Sequence, residues 1–163
     1  MALFLSEADV RQLLTMDLAL DAVAVAHRAH ALGRAIDVPR QRTRTPTSAL
    51  HILQGALLDE GVIGYKAYTT ARAGNHFLVH LFDAANGVLL AMIEADFLGM
   101  MRTGAGGGVA AKHLARPEST VVGLIGAGWQ AQSQLEALCR VRSISKVKLF
   151  SRNEEKRRLA SAD

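Results

Sequence analysis

The sequence predicts an α/β chain in two parts: an α+β domain over residues 1–117, then the opening βαβ unit of a doubly wound fold over residues 118–163. Three observations carry this. Apolar residues recur at helical spacing as far as Gly33, after which the pattern shortens to that of strands. Arg116-Pro117-Glu118-Ser119 interrupts the chain. Beyond it an apolar run, a turn containing Gly126 and Gly128, a helical stretch and a second apolar run follow in order.

Composition bounds what such a chain does. It has 163 residues, 50% hydrophobic and 21% charged, as in ordinary globular domains. The longest apolar stretches, such as residues 88–93, are too short to cross a bilayer. Met1 to Leu5 lacks a basic flank and leads straight into Ser6-Glu7-Ala8-Asp9, so no signal peptide is read. The single Cys139 excludes an internal disulfide and argues against a structural zinc site, which points to a cytoplasmic setting. The net charge of +4 suits an anionic ligand without arguing for nucleic acid, and no membrane partner is expected.

Ser6 and Asp9 form the pattern of a capping box, opening a short helix over residues 7–14. A second helix is predicted over 16–32, where Leu20, Val23, His27 and Ala31 share a face and Gly33 ends it. Strands are predicted over 49–57, 61–70 and 76–82, and Asn86-Gly87 between apolar runs marks a hairpin. A mostly antiparallel sheet is expected up to about Ala95, with a helix over 103–115 following it. Gly104, Gly106, Gly107 and Gly108 near that helix start have two readings: close helix packing, or a ligand approaching the backbone. After residue 118, a strand over 120–125, a helix over 130–141 and a strand over 146–150 complete the βαβ unit.

Gly126-Ala127-Gly128-Trp129-Gln130-Ala131 is a GxGxxA turn between a strand and a helix, the context of a Rossmann dinucleotide site. Gly126 permits the tight turn, Gly128 lets the backbone approach a pyrophosphate, and the helix amides hold that anion. At the end of the second strand, NAD enzymes usually carry an acidic residue for the ribose 2′-hydroxyl. Here stand Ser151, Arg152 and Asn153. A guanidinium between two small polar side chains suits a 2′-phosphate, so NADP(H) is favoured over NAD(H). The alternative is that Arg152 is solvated and merely opens the next helix.

Arg40, Arg42 and Arg44 alternate and would share one face of an extended segment. Arginine forks match carboxylates at two points. Lys66, in Gly64-Tyr65-Lys66-Ala67-Tyr68, reads from the residues alone as an edge-strand gatekeeper, with a buried catalytic cation as the alternative. Arg102 and Thr103 would place a guanidinium and a capping hydroxyl at the start of the glycine-marked helix, an anion site that adds Thr103 to the cofactor-binding residues. His76 and His80 read as sheet residues, no metal site is expected, and Cys139, within a predicted helix, reads as a buried structural thiol.

With these residues assembled, the chain resembles the ornithine cyclodeaminase/mu-crystallin family along nearly its whole length. The resemblance rests on Phe4-Leu5-Ser6-Glu7-Ala8-Asp9-Val10, Gly64-Tyr65-Lys66, Ile93-Glu94-Ala95-Asp96, Arg102-Thr103-Gly104-Ala105, the run from Val109 to Pro117, and Gly123 to Ala131. It implies a dimerising α+β domain followed by a Rossmann domain. It also implies an enzyme acting on a small amino acid or cyclic imino acid, of cyclodeaminase or imine reductase type. Its substrate carboxylate would be held by Arg40, Lys66 and Arg102, with Arg42 as substitute for Arg40. Lys66 thereby becomes a catalytic and substrate-binding residue rather than a gatekeeper.

The chain departs from the family in two ways. Leu53-Gln54-Gly55-Ala56 stands where many members carry Met-Pro-Ala. Members are also about twice as long, and the aspartate that acts as base in the cyclodeaminases lies beyond any position here. An incomplete Rossmann half is therefore expected, and turnover by residues 1–163 alone is in question. The rival expectations are an NADPH- and ligand-binding protein without turnover, or a fragment that only forms a homodimer through its N-terminal sheet.

Overall fold

The computed structural model describes residues 1–155 and Arg158. The elements run β1 (Leu3–Leu5), α1 (Glu7–Leu13), α2 (Met16–Ala31), β2 (Ala35–Arg44), β3 (Ser48–Leu57), β4 (Val62–Ala71), β5 (Gly74–Asp83), β6 (Leu89–Glu94), α3 (Asp96–Leu114), β7 (Val121–Ile125), α4 (Trp129–Val141) and β8 (Lys146–Phe150). They form two compact units: Met1–Leu14 with Val25–Gly99, and Thr15–Ala24 with the chain from Met100 onward.

The first unit holds a six-stranded sheet in the order β1-β6-β5-β4-β3-β2. Every neighbouring pair is antiparallel except β1 with β6. The expected Asn-Gly turn is present: Gly87 takes φ +73, and the Asp83 carboxylate accepts from the Ala85 amide at 2.7 Å. α1 opens with the expected capping box, the Ser6 amide donating to Asp9 Oδ2 at 2.9 Å and the Asp9 amide to Ser6 Oγ at 3.3 Å. Val10, Ala29, Ala91 and Ala95 are its buried apolar residues.

β2 carries a bulge. Ala35 to Val38 pair with Leu57 to Gln54, and the register then shifts by one so that Gln41 to Arg44 pair with Ile52 to Ala49. Pro39 and Arg40 together face Leu53. Side chains alternate along a strand, so one extra residue exchanges the two faces of everything beyond it. Arg42 and Arg44 thus share the face of their partners His51 and Ala49, which is also the face of Lys66, the partner of Leu53. With every residue of β2 kept and no bulge, the arginine stretch would lie on the opposite face of the sheet.

In the second unit β7 and β8 pair in parallel, joined through α4 as the sequence predicts. Met16, Ala19, Met100, Met101, Ala105 and Ala137 form its buried apolar core. The glycines of α3 serve packing. A Cβ at Gly104 would collide with the Ser133 carbonyl, one at Gly107 with the Gln134 side chain, and one at Gly108 would lie 2.7 Å from Leu20 and 2.9 Å from Ala137. For these three the packing reading holds, while a Cβ at Gly106 would meet no described atom within 4 Å.

Two expectations fail. Cys139, read as buried, is exposed on α4. α3 begins at Asp96, not at residue 103, so Thr103 is no capping hydroxyl and Arg102-Thr103 lies inside the helix rather than at an anion-binding terminus. Propensity misplaced the start because Ala95 cannot cap. The cap comes from the far end of the sequence instead: the Glu7 carboxylate accepts from the Asp96 and Phe97 amides.

Candidate functional site

In the first unit the site is built on the face of the sheet that carries Lys66. Four neighbouring strands place Arg42, His51, Tyr68 and Phe77 in one row. The His51 and Tyr68 rings stack at 4.3 Å with 4° between their planes, and Tyr68 and Phe77 lie 4.9 Å apart. The adjacent row holds Arg40 in the bulge, Leu53 and Lys66. Lys66 Nζ lies 5.3 Å from the Tyr68 ring centre and 5.6 Å from that of Phe77, and Arg40 Cζ lies 5.9 Å from Tyr68. Two sequence-distant cations thus meet one aromatic surface, as cation–π attraction favours. Their Cα atoms are two strand spacings apart, about 10 Å, a span that two long cationic side chains can close around a carboxylate.

Gly64 is required here by the neighbouring strand, because a Cβ at that position would strike the His80 carbonyl. This accounts for the glycine two residues before Lys66. His51 is buried, 9% exposed, and its Nε2 lies 3.2 Å from Thr70 Oγ1. Its Nδ1 has no hydrogen-bond partner among the described residues. Burial, and then the charges of Arg42, Arg40 and Arg44, hold the His51 pKa below its ordinary value of 6.5. A neutral imidazole therefore stands beneath a strongly cationic stretch. His51, Tyr68 and Phe77 were not singled out from sequence, since only the register joins them.

The second unit carries the glycine turn. Gly126 takes φ +112, a conformation that favours glycine, and its amide donates to the Phe150 carbonyl at 2.7 Å. That bond sets the turn beside the end of β8, where Ser151 is half-buried and Arg152 and Asn153 are exposed. The Asn153 amide lies 3.3 Å from Ser151 Oγ. Gly128 is the N-cap of α4, with no side-chain cap and no acidic residue in the first turn among the described residues. A Cβ on Gly128 would meet no described atom within 4 Å. Helix amides without a side-chain cap behind a turn that leaves such space fit a dinucleotide pyrophosphate. Ala127, Trp129 and Gln130 belong to the same turn and first helical residues.

Within this unit Thr103 on α3 lies next to α4, the Gln134 side chain donating to the Thr103 carbonyl at 3.0 Å. Arg102, one residue earlier on α3, is exposed. Among the described residues no group of three or more His, Cys, Asp or Glu is placed to hold a metal ion, and no helix is long and apolar enough to cross a membrane.

Comparison with known proteins gives relatives of the same fold. Alanine dehydrogenase of Archaeoglobus fulgidus is 37% identical over 161 residues, matching 94% of this chain and 49% of its own length. A structure of an archaeal alanine dehydrogenase dimer with bound NAD superposes with a TM-score of 0.92 at 35% identity, covering 99% of this chain and 52% of that one. The Delta(1)-pyrroline-2-carboxylate reductase of Thermococcus litoralis, in complex with NADH and L-proline, gives a TM-score of 0.90 at 29% identity over 99% of this chain and 53% of that one. The chain spans about half the length of these relatives. The model of the ornithine cyclodeaminase/mu-crystallin family matches residues 1–162, and the chain belongs to that family.

Proposed function

We propose that the chain supplies the substrate-binding half and the opening of the cofactor-binding half of an NAD(P)-dependent enzyme that reduces a small imino acid to an amino acid. The observation that carries this reading is the meeting of Arg40 and Lys66 on the Tyr68 ring. In it, residues 1–117 form the substrate and dimerisation domain and residues 118–163 open the Rossmann domain.

Arg40, Lys66 and Arg102 hold the substrate carboxylate, which fixes the α-carbon in place and stabilises charge in the transition state. Lys66 is the catalytic member of the set, because a lysine ammonium both binds the anion and holds a proton for the substrate nitrogen. A bound nicotinamide supplies the hydride for the α-carbon. Gly126, Ala127, Gly128, Trp129 and Gln130 cradle the pyrophosphate, and Thr103 backs that helix through its bond with Gln134. Ser151, Arg152 and Asn153 hold the 2′-phosphate, making NADP(H) the preferred cofactor although the archaeal relatives were solved with NAD and NADH.

A homodimer forms through the other face of the sheet. Phe4, Ile36, Leu50 and Ile63 lie there by register, and all four are exposed. Covering such a surface favours association, and the archaeal alanine dehydrogenase is a dimer. A cytoplasmic setting, where reduced cofactor is supplied, completes the reading.

The test is a steady-state assay of the protein with cyclic imino acids, alanine and ornithine, each with NADPH and NADH. Cofactor oxidation with a cyclic imino acid is expected. Ammonia release from ornithine without net cofactor turnover would move the reading to a cyclodeaminase, and no turnover with any of them would sink it.

A further inference from the structure

The beginning of the chain and the start of α3 cap each other. The Glu7 amide, at the first position of α1, donates to Glu94 Oε2 at 2.7 Å. In return the Glu7 carboxylate accepts from the Asp96 amide, and from the Phe97 amide at 3.3 and 3.2 Å. Arg11, one turn along α1, sits over the Phe97 ring at 4.6 Å. Helix starts expose amides that need acceptors, and Ala95, before α3, has no side chain to offer. The carboxylate that fills this role comes from about 90 residues away in sequence, and its negative charge also complements the helix dipole.

α3 carries Arg102 six residues beyond Asp96, about 9 Å along the helix axis. The geometry points to Glu7 as a positioning residue for Arg102: by gripping the first amides of α3 it fixes the start of the helix that carries that arginine. This rests on the reading of Arg102 given above. It also gives one physical reason for two conspicuous motifs, Ser6-Glu7-Ala8-Asp9 and Glu94-Ala95-Asp96, which form the two sides of the same interlock.

The far end of α3 provides the control. There the Arg142 guanidinium donates to the carbonyls of Ala111 at 3.0 Å, Lys112 at 2.9 Å and Ala115 at 2.9 Å. It holds the same helix from the end away from Arg102.

The experiment compares Glu7→Ala, Glu7→Gln and Arg142→Ala in the full chain. Thermal unfolding reports stability, calorimetry reports binding of L-proline in the presence of NADH, and amide hydrogen exchange is followed across residues 96–103. Both alanine variants should lower the melting temperature. Glu7→Ala should weaken L-proline binding by about tenfold, the loss of one cap, leave NADH binding unchanged, and speed exchange from Asp96 to Thr103. Glu7→Gln, which keeps an acceptor oxygen, should recover part of the loss, while Arg142→Ala should bind L-proline as the unaltered chain does. Equal losses of L-proline affinity in the two alanine variants, or none in Glu7→Ala, would overturn the inference alone. Failure of the unaltered chain to bind L-proline would instead remove the carboxylate reading of Arg102, and the inference with it.

Discussion

The glycine turn before α4 and the cationic face of the sheet are built in opposite ways. At the turn the chain withholds side chains: Gly126 adopts a conformation favouring glycine, and Gly128 leaves space where a Cβ would stand. On the sheet it imports side chains, carrying Arg40 and Lys66 to one tyrosine from strands that are not neighbours. The turn is local, so six consecutive residues and their flanks describe it. The sheet face is relational, and the pairing register beyond a single bulge decides which face of the sheet the arginines occupy.

The largest effect that would break this contrast is at Lys66. Lys66→Met should weaken binding of a carboxylate ligand by about a hundredfold, the value of a strong charge-assisted contact, while cofactor affinity stays within about twofold of the original. Calorimetry with L-proline and with NADPH checks both halves of the statement. A parallel loss of cofactor affinity would show that the two regions are not separable.

The next effect concerns the glycines of α3. Gly104→Val drives a side chain into the Ser133 backbone and should cost about 2 kcal/mol in urea unfolding. Gly106→Ala meets nothing and should gain about 0.5 kcal/mol from helix propensity. A destabilised Gly106→Ala would mean that this glycine, too, is there for close packing.

A smaller effect is the pH response of His51. Its pKa is lowered in the folded protein, so below 6.5 the unfolded chain takes up a proton that the folded chain refuses. Stability should therefore fall as the pH drops through 6.5 and level off once folded His51 itself titrates. His51→Phe should flatten that decline in unfolding midpoints measured across the range. Asp9 acts at lower pH: its hydrogen bonds with Ser6 depress its pKa below 3.8, and the stability they give is lost as pH falls through that depressed value.

The smallest effect is at the bulge. Deleting Pro39 leaves Arg40 alone opposite Leu53 and preserves the registers on both sides. L-proline affinity should then change by no more than about threefold, an outcome that would sharpen the claim that register, not chain length, places the arginines.

Legibility in the sequence followed the same division. The capping box, the Asn-Gly turn, α4 and β8 were readable because each depends on neighbours in sequence. The start of α3 was not, because its cap comes from Glu7. Nor was the His51-Tyr68-Phe77 row, which exists only once β3, β4 and β5 are paired. The resemblance carried by Gly64-Tyr65-Lys66 pointed to Lys66, yet the reason for its glycine, the His80 carbonyl opposite, is visible only in the fold.

The most direct test of the account is a titration of the 163-residue chain with NADPH and, separately, NADH, read from Trp129, its one tryptophan, at the first position of α4. The account predicts a saturable change in fluorescence with both, at lower concentration for NADPH, and loss of that preference in Arg152→Ala. No saturable change with either would contradict it, leaving the glycine turn of this chain without a dinucleotide to hold.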